Sequence, residues 1–232
     1  RLTLRKAAGV PLGLAGVDVI PNPVDLAALA PIRAASPPSS ARGSACTIAV
    51  AGRLVPEKGH ADLLQAMALL AAQGLEPRLE IIGDGPLRPA IEAQAARLGL
   101  SARMAITGIV RHADLLARIG QADLVVVPSR HEGFGMTALE SMAMGRTVVA
   151  TGAGGLPEVL GDAGVVVPAR DPAALATAMA RLLDDPGERA RLGSEAARRA
   201  EGFALPRIAE RHAAAYRALL ERRGWTVTQR RQ

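Results

Sequence analysis

Residues 124–140 read LVVVPSRHEGFGMTALE. The first four are apolar without a break, the pattern of a strand covered on both faces, as in a parallel sheet. Pro128 ends that strand, because proline has no N–H to give to a ladder. A helix is expected from about Met136, and glycines at 133 and 135 let backbone approach a ligand closely just before it. The free N–H groups and positive dipole end of a helix suit a phosphate. Glu132 lies in the loop before the helix and Glu140 about one turn inside it. A carboxylate has two acceptor oxygens and can hold two vicinal hydroxyls. An anion site flanked by two carboxylates makes sense for a ligand that is polyhydroxylated as well. The plainer reading, a loop charge and a surface helix residue, stays open.

The same alternation of short apolar runs and helical patterns extends over most of the chain. Strands are expected over 47–51, 78–82, 104–107, 147–150 and 165–167 besides 124–127. Helices are expected over 59–73, 87–98, 113–119, 136–144, 172–183, 187–200 and 206–222. Asp171-Pro172 and Asp185-Pro186 each read as an N-cap followed by proline at the first helical position, hence as structural aspartates. Residues 17–25, VDVIPNPVD, read as one short strand and a turn, and residues 34–45, AASPPSSARGSA, as a linker. Strand and helix in alternation specify an α/β fold, a doubly wound parallel sheet with right-handed crossovers. No solenoid repeat is present.

In such sheets ligands bind outside the C-terminal ends of the strands. That directs attention to the loops at 52–58, 83–86, 108–111, 128–135 and 151–156. In the first, Arg53 and Lys58 flank one turn; arginine offers a planar fork to phosphate oxygens and lysine a compact charge. Two solvated surface charges are the alternative. The loop is not a P-loop, since G-x-x-x-x-G-K-[ST] is absent. Gly83-Asp84-Gly85-Pro86 reads mainly as a tight strand-to-helix turn, with Arg88 where a dinucleotide fingerprint needs its third glycine. The last loop, within TGAGGLPE at 151–158, faces the same rim; Glu158 reads as a carboxylate favoured by a helix dipole.

Composition narrows the classes. The 232 residues are 49% apolar and 22% charged, which excludes a mostly disordered chain and fits one large domain with or without tails. No run approaches the ~18 apolar residues of a membrane span. Net charge is +6, yet Lys6 and Lys58 are the only lysines, so the basic balance reads as an arginine-rich bias. Aromatics are 2% of the chain and scattered (Phe134, Phe203, Tyr216, Trp225), which argues against single-stranded nucleic acid. A single cysteine, Cys46, excludes an internal disulfide framework and reads as a small apolar residue beside a strand. His60, His112, His131 and His212 lack H-x-x-x-H spacing, so no metal site is expected. His131 reads as a rim histidine. The apolar stretch near the N-terminus is interrupted by Gly and Pro and does not read as a signal-peptide core, and the chain begins with Arg, so it reads as a piece of a longer protein.

Taken together, G-R-x-x-x-x-K-G, I-G-D-G-P, P-S-x-x-E-G-F-G, the E-x7-E pair of Glu132 and Glu140, and G-G-L-P-E resemble the C-terminal, donor-binding domain of family 4 (group 1) retaining glycosyltransferases. The resemblance covers about residues 17–222. It implies the C-terminal half of a two-domain GT-B enzyme with a Rossmann-like sheet. Arg53 and Lys58 would then hold the diphosphate of a nucleotide sugar, and Glu132 the transferred sugar; these three form the expected catalytic set. Glu140 would meet the ribose, backbone at Met136 and Thr137 the phosphates, and backbone near Val110 the base. Gly52, Gly83, Phe134 and Gly135 complete the expected donor site. Pro23 stands where the family usually has glycine.

The resemblance further implies residues 1–33 as an interdomain segment, 34–45 as linker, 46–204 as donor domain, 205–223 as a helix crossing back onto a missing N-terminal acceptor domain, and 224–232 as a tail. No cofactor or metal is expected; the nucleotide sugar is a substrate, with UDP, GDP or ADP as its nucleotide. Expected partners are the donor, an acceptor of unknown identity and the missing domain. Peripheral contact with a membrane and a homodimer through the C-terminal helix are further contacts considered, in a cytoplasmic or inner-face setting. A non-catalytic nucleotide-sugar binding module and a sugar epimerase fragment are the competing readings.

Overall fold

The computed structural model describes residues 19–37 and 43–222. Expectations for residues 1–18, part of the linker and the tail, Lys6 and Trp225 included, lie outside the described residues. The chain runs α1 (Leu26–Ala34), β1 (Thr47–Ala51), α2 (His60–Ala72), β2 (Arg78–Ile82), α3 (Arg88–Arg97), β3 (Met104–Ile106), α4 (His112–Gln121), β4 (Leu124–Val127) and α5 (Met136–Ala143). It continues with β5 (Val148–Thr151), α6 (Leu156–Leu160), β6 (Val165–Val167), α7 (Pro172–Asp184), α8 (Pro186–Ala200) and α9 (Leu205–Arg222). The six strands form one parallel sheet in the order β3-β2-β1-β4-β5-β6, the expected doubly wound, Rossmann-like arrangement.

Both faces of the sheet are covered, and the alternation of side chains sorts the core into two. Ile48, Val50, Leu124 and Val126 point into one apolar layer with Leu63, Met67 and Met179. Ala49, Val125, Val127 and Val148 point into the other with Leu139, Met142 and Leu160. All four residues of β4 are buried, which is why its sequence shows no polar alternation. Cys46 is fully buried in the first layer, where burial pushes its thiol up to about 11. Asp171 Oδ1 accepts from Ala174 N at 2.9 Å and Asp185 Oδ1 from Glu188 N at 2.9 Å, so both aspartates cap helices as expected.

The beginning of the chain differs from expectation. The described part of 17–25 makes one parallel bridge, Val24 with Ala204, in place of a strand. Pro21 and Pro23 remove two ladder donors. Asp25 then caps a helix that the sequence reading lacked: its Oδ1 accepts from Ala28 N at 3.1 Å at the start of α1. Leu29 of α1 is buried in the second layer.

Helix α9 leaves the body after the turn at Glu201–Phe203. Of its apolar stripe only Ile208 is buried; Tyr216 is 65% and Leu219 57% exposed. A helix with so little burial opens readily. In hydrogen-exchange measurements on the isolated chain at low concentration, residues 209–221 should exchange much faster than Leu124–Val127. Equal protection of the two segments in a demonstrated monomer would contradict this packing.

Candidate functional site

The loops that follow β1, β2, β4 and β5 converge at the C-terminal edge of the sheet. Two of them are joined directly. Lys58 ends the single turn Pro56–Lys58 after β1, and its Nζ lies 2.8 Å from Glu132 Oε2 in the loop after β4. Ser129 Oγ donates to the same carboxylate oxygen at 3.1 Å. The Glu132 side chain keeps only 15% of its exposure, so its carboxylate is largely shielded from bulk water, while Lys58 keeps 31%. Backbone ties the loops as well: Glu57 O accepts from Arg130 N at 2.7 Å and from His131 N at 3.3 Å. His131 itself is exposed.

From the other side the loop after β5 presses on Glu132. Gly154 has φ +55°, and a Cβ there would lie 1.6 Å from Glu132 O, so no other residue fits without moving the loop. The Thr151 hydroxyl donates to Ser129 O.

Gly135, at φ 101°, precedes α5 and offers no side-chain cap. The N–H groups of Met136 and Thr137 therefore have no acceptor within the helix and are open to an external anion. Phe134 packs edge-on against Phe203, ring centres 6.0 Å apart at 68°. Glu140 is 13% exposed at its side chain and faces His112 Nε2 at 3.4 Å. Burial pushes its carboxyl above the usual 4.5, and the charge of His112 pulls the other way.

A cavity of about 550 Å³ opens beside this cluster, lined among others by Gly52, Arg53, Gly83, Ile109, Val110 and Thr137. Arg53 is exposed there and has no carboxylate partner among the described residues. Lys58, Glu132 and Glu140 lie outside that lining. The structure thus assembles the residues singled out in the sequence as a paired Lys58–Glu132 centre, an uncapped helix start and an adjoining cavity. A second cavity, also about 550 Å³, lies at the opposite, N-terminal edge of the sheet around Thr47, Arg78 and Arg118. There Arg118 is already paired with Glu80, and the edge is the one that open α/β sheets do not use for ligands.

The sequence reading missed the partners of these groups. Arg130 makes a two-pronged ion pair with Asp62 of α2, Nε to Oδ2 at 2.8 Å and Nη2 to Oδ1 at 2.6 Å. Asp62 is 8% exposed. The available signal was a carboxylate set beside Leu63 and Leu64 on a helix otherwise patterned for the core. The pairing of His112 with Glu140, 28 positions away in the chain, had none. Among the described residues no group of three or more His, Cys, Asp or Glu side chains could hold a metal ion, and no helix is long and apolar enough to cross a membrane.

The sequence profile of the glycosyl transferases group 1 matches residues 34–199. The chain belongs to this family. Among curated relatives, alpha-D-kanosaminyltransferase of Streptomyces kanamyceticus is 39% identical over 148 residues, 63% of this chain and 38% of that protein. D-inositol 3-phosphate glycosyltransferase of Thermobispora bispora is 37% identical over 187 residues, 76% of this chain and 44% of that protein. The chain therefore spans less than half of the length of these two relatives. Sucrose-phosphate synthase of Thermosynechococcus elongatus superposes with a TM-score of 0.74 at 31% identity, covering 88% of this chain and 53% of that one. Anabaena Alr3699/HepE in complex with UDP superposes with a TM-score of 0.68 at 26% identity, over 75% of this chain and 49% of that one.

One further buried group tests the packing behind the site. His60, first residue of α2, is 2% exposed and neither ring nitrogen has a partner. Burial, reinforced by the charge of Lys58, holds its pKa down at about 4. The unfolded chain takes up this proton near 6.5, so stability is complete above that pH and is lost as pH falls from 6.5 toward 4. The loss attributable to His60 should reach about 3 kcal/mol. Urea unfolding at a series of pH values should show it, and His60→Leu should flatten that part of the profile.

Proposed function

We propose that this chain is the donor-binding part of a retaining glycosyltransferase that moves a sugar from a nucleoside-diphosphate sugar to a glycan, lipid or small-molecule acceptor, without a metal ion. The observation that carries this reading is the Lys58–Glu132 pair at 2.8 Å in front of the uncapped start of α5, at the ligand-binding edge of the sheet. Arg53 and Lys58 supply the cations that a leaving diphosphate needs as negative charge develops on it. The N–H groups of Met136 and Thr137 add hydrogen bonds to the same phosphates. Without donor, Lys58 is neutralised by Glu132; a diphosphate competes for the ammonium, and the released carboxylate turns to the hydroxyls of the sugar. Glu140, held half-buried by His112, accepts from the ribose, and the cavity beside Val110 takes the base. The relation to a protein solved with UDP supports uracil as that base.

The complete enzyme would bring the acceptor with further residues on a second domain. We place it in the cytoplasm, with peripheral contact at an anionic membrane face as a further part of the reading.

Calorimetry with UDP in the presence of EDTA should show binding to this chain. Replacing Arg53 and Lys58 together by alanine should cost about 3 kcal/mol or more, because charge-assisted contacts are worth roughly 1.5–3 kcal/mol each. Unchanged affinity in that double variant would remove the basis of the proposal.

The two glutamates should separate by ligand. Glu140→Gln is expected to weaken UDP and UDP-sugar alike, whereas Glu132→Gln should weaken only the sugar-bearing form. Titration of both ligands into both variants makes the comparison, and equal losses for Glu132→Gln would reverse the assignment.

A further inference from the structure

The Lys58–Glu132 pair is one of two bridges between the same two short segments. Four residues beyond Lys58 stands Asp62, and two residues before Glu132 stands Arg130. These outer residues form the two-pronged pair at 2.6 and 2.8 Å. Between the bridges, Glu57 O accepts from the N–H groups of Arg130 and His131. At the root of α2, Gly59 lies against Pro128 so closely that a Cβ would stand 1.9 Å from Pro128 O. The turn after β1 and the loop after β4 are therefore fixed to each other along their length.

We propose that Asp62 and Arg130 are positioning residues that set the Lys58 ammonium and the Glu132 carboxylate in register for the donor. The proposal rests on the reading of Lys58 and Glu132 as donor-binding groups. Its physical basis is geometric. A guanidinium held by both carboxylate oxygens is fixed in plane and direction, which a single lysine contact cannot do. Arg130 retains 31% of its side-chain exposure, so the pair adds little net stability. What it adds is a fixed path for the two backbone residues that lead to Glu132. Misplacement of a charged group by about 1 Å is enough to lose much of its effect on a bound ligand. Asp62 is 8% exposed and both of its carboxylate oxygens are taken by Arg130, so the pair acts through the residues it holds.

The sequence supplies a direct probe. Lys58 and Lys6 are the only lysines, so a spectrum of the side-chain ammonium groups of the ¹⁵N-labelled chain contains at most two lysine signals, and the one lost in Lys58→Met is that of Lys58. In Arg130→Met and in Asp62→Asn the Lys58 signal should shift and exchange faster. Arg130→Lys, which keeps the charge and loses the fork, should give an intermediate shift and serves if the other variants fold poorly. The exchanged pair Asp62→Arg with Arg130→Asp should restore the signal. UDP affinity should fall about tenfold in Arg130→Met and recover in the exchanged pair, and Lys58→Met should cost less in the Arg130→Met background than alone. A lower melting temperature with an unchanged Lys58 signal in every variant would overturn the proposal. If the unmodified chain fails to bind UDP while the Lys58 signal responds as described, the positioning role stands and the donor-site reading falls.

Discussion

The pairing of β1 with β4 is the constraint on which the site depends. After β3 the chain returns across the sheet and lays β4 beside β1, with Ile48 opposite Leu124 and Ala49 opposite Val125. At this point the strand order reverses, so the helices that follow β1 and β4 depart to opposite sides and leave the strand ends uncovered. The loop carrying Lys58 and the loop carrying Glu132 can meet only because their strands are neighbours and parallel. Apolar burial on both faces supplies the energy for that pairing: the two strands contribute Ile48, Val50, Leu124 and Val126 to one layer and Ala49, Val125 and Val127 to the other.

Three pairs organise charge at this edge, each with a carboxylate whose side chain is 11–15% exposed. Lys58 meets Glu132, Arg130 meets Asp62, and His112 meets Glu140. Each pair spans two different elements, so the pairs tie the loops together as well as neutralise charge. Arg53 stands apart, exposed in the cavity without a carboxylate partner among the described residues. An open cation beside paired ones, next to an uncapped helix start, is an arrangement that an anionic ligand completes. His60 behind this edge remains neutral because no partner offsets the loss of its hydration.

The two peripheral segments join the body near the same loop. Val24 bridges Ala204, Val24 N donates to Phe203 O at 2.8 Å, and Phe203 meets Phe134 between Glu132 and the start of α5. The root of α9 is thus in contact with the loop of the site, while the outer turns of α9 bury almost nothing beyond Ile208.

The local elements were legible because short-range physics sets them. An unbroken LVVV run, the Asp-Pro caps at 171 and 185, and the glycine-bearing turns each carry their own signal, and the strands appear within a residue or so of where the pattern puts them. The start of the chain was misread because two prolines and an aspartate cap outweigh the β-branched residues around them. The charged residues at the strand ends were legible as residues that stand out: a lysine in an arginine-rich chain, and carboxylates spaced across a helix start. Their partners were not. Asp62 and Arg130 are 68 positions apart and His112 and Glu140 are 28 apart, and no local pattern records which strand will lie beside which. The sequence by itself determined the alternation of strands and helices and the identity of the charged groups at the strand ends, because those follow from side-chain period, backbone preference and charge. Only the tertiary structure decided which of those charges face each other, because ion-pair geometry acts over a few ångströms of space and is set by the order of strands in the sheet.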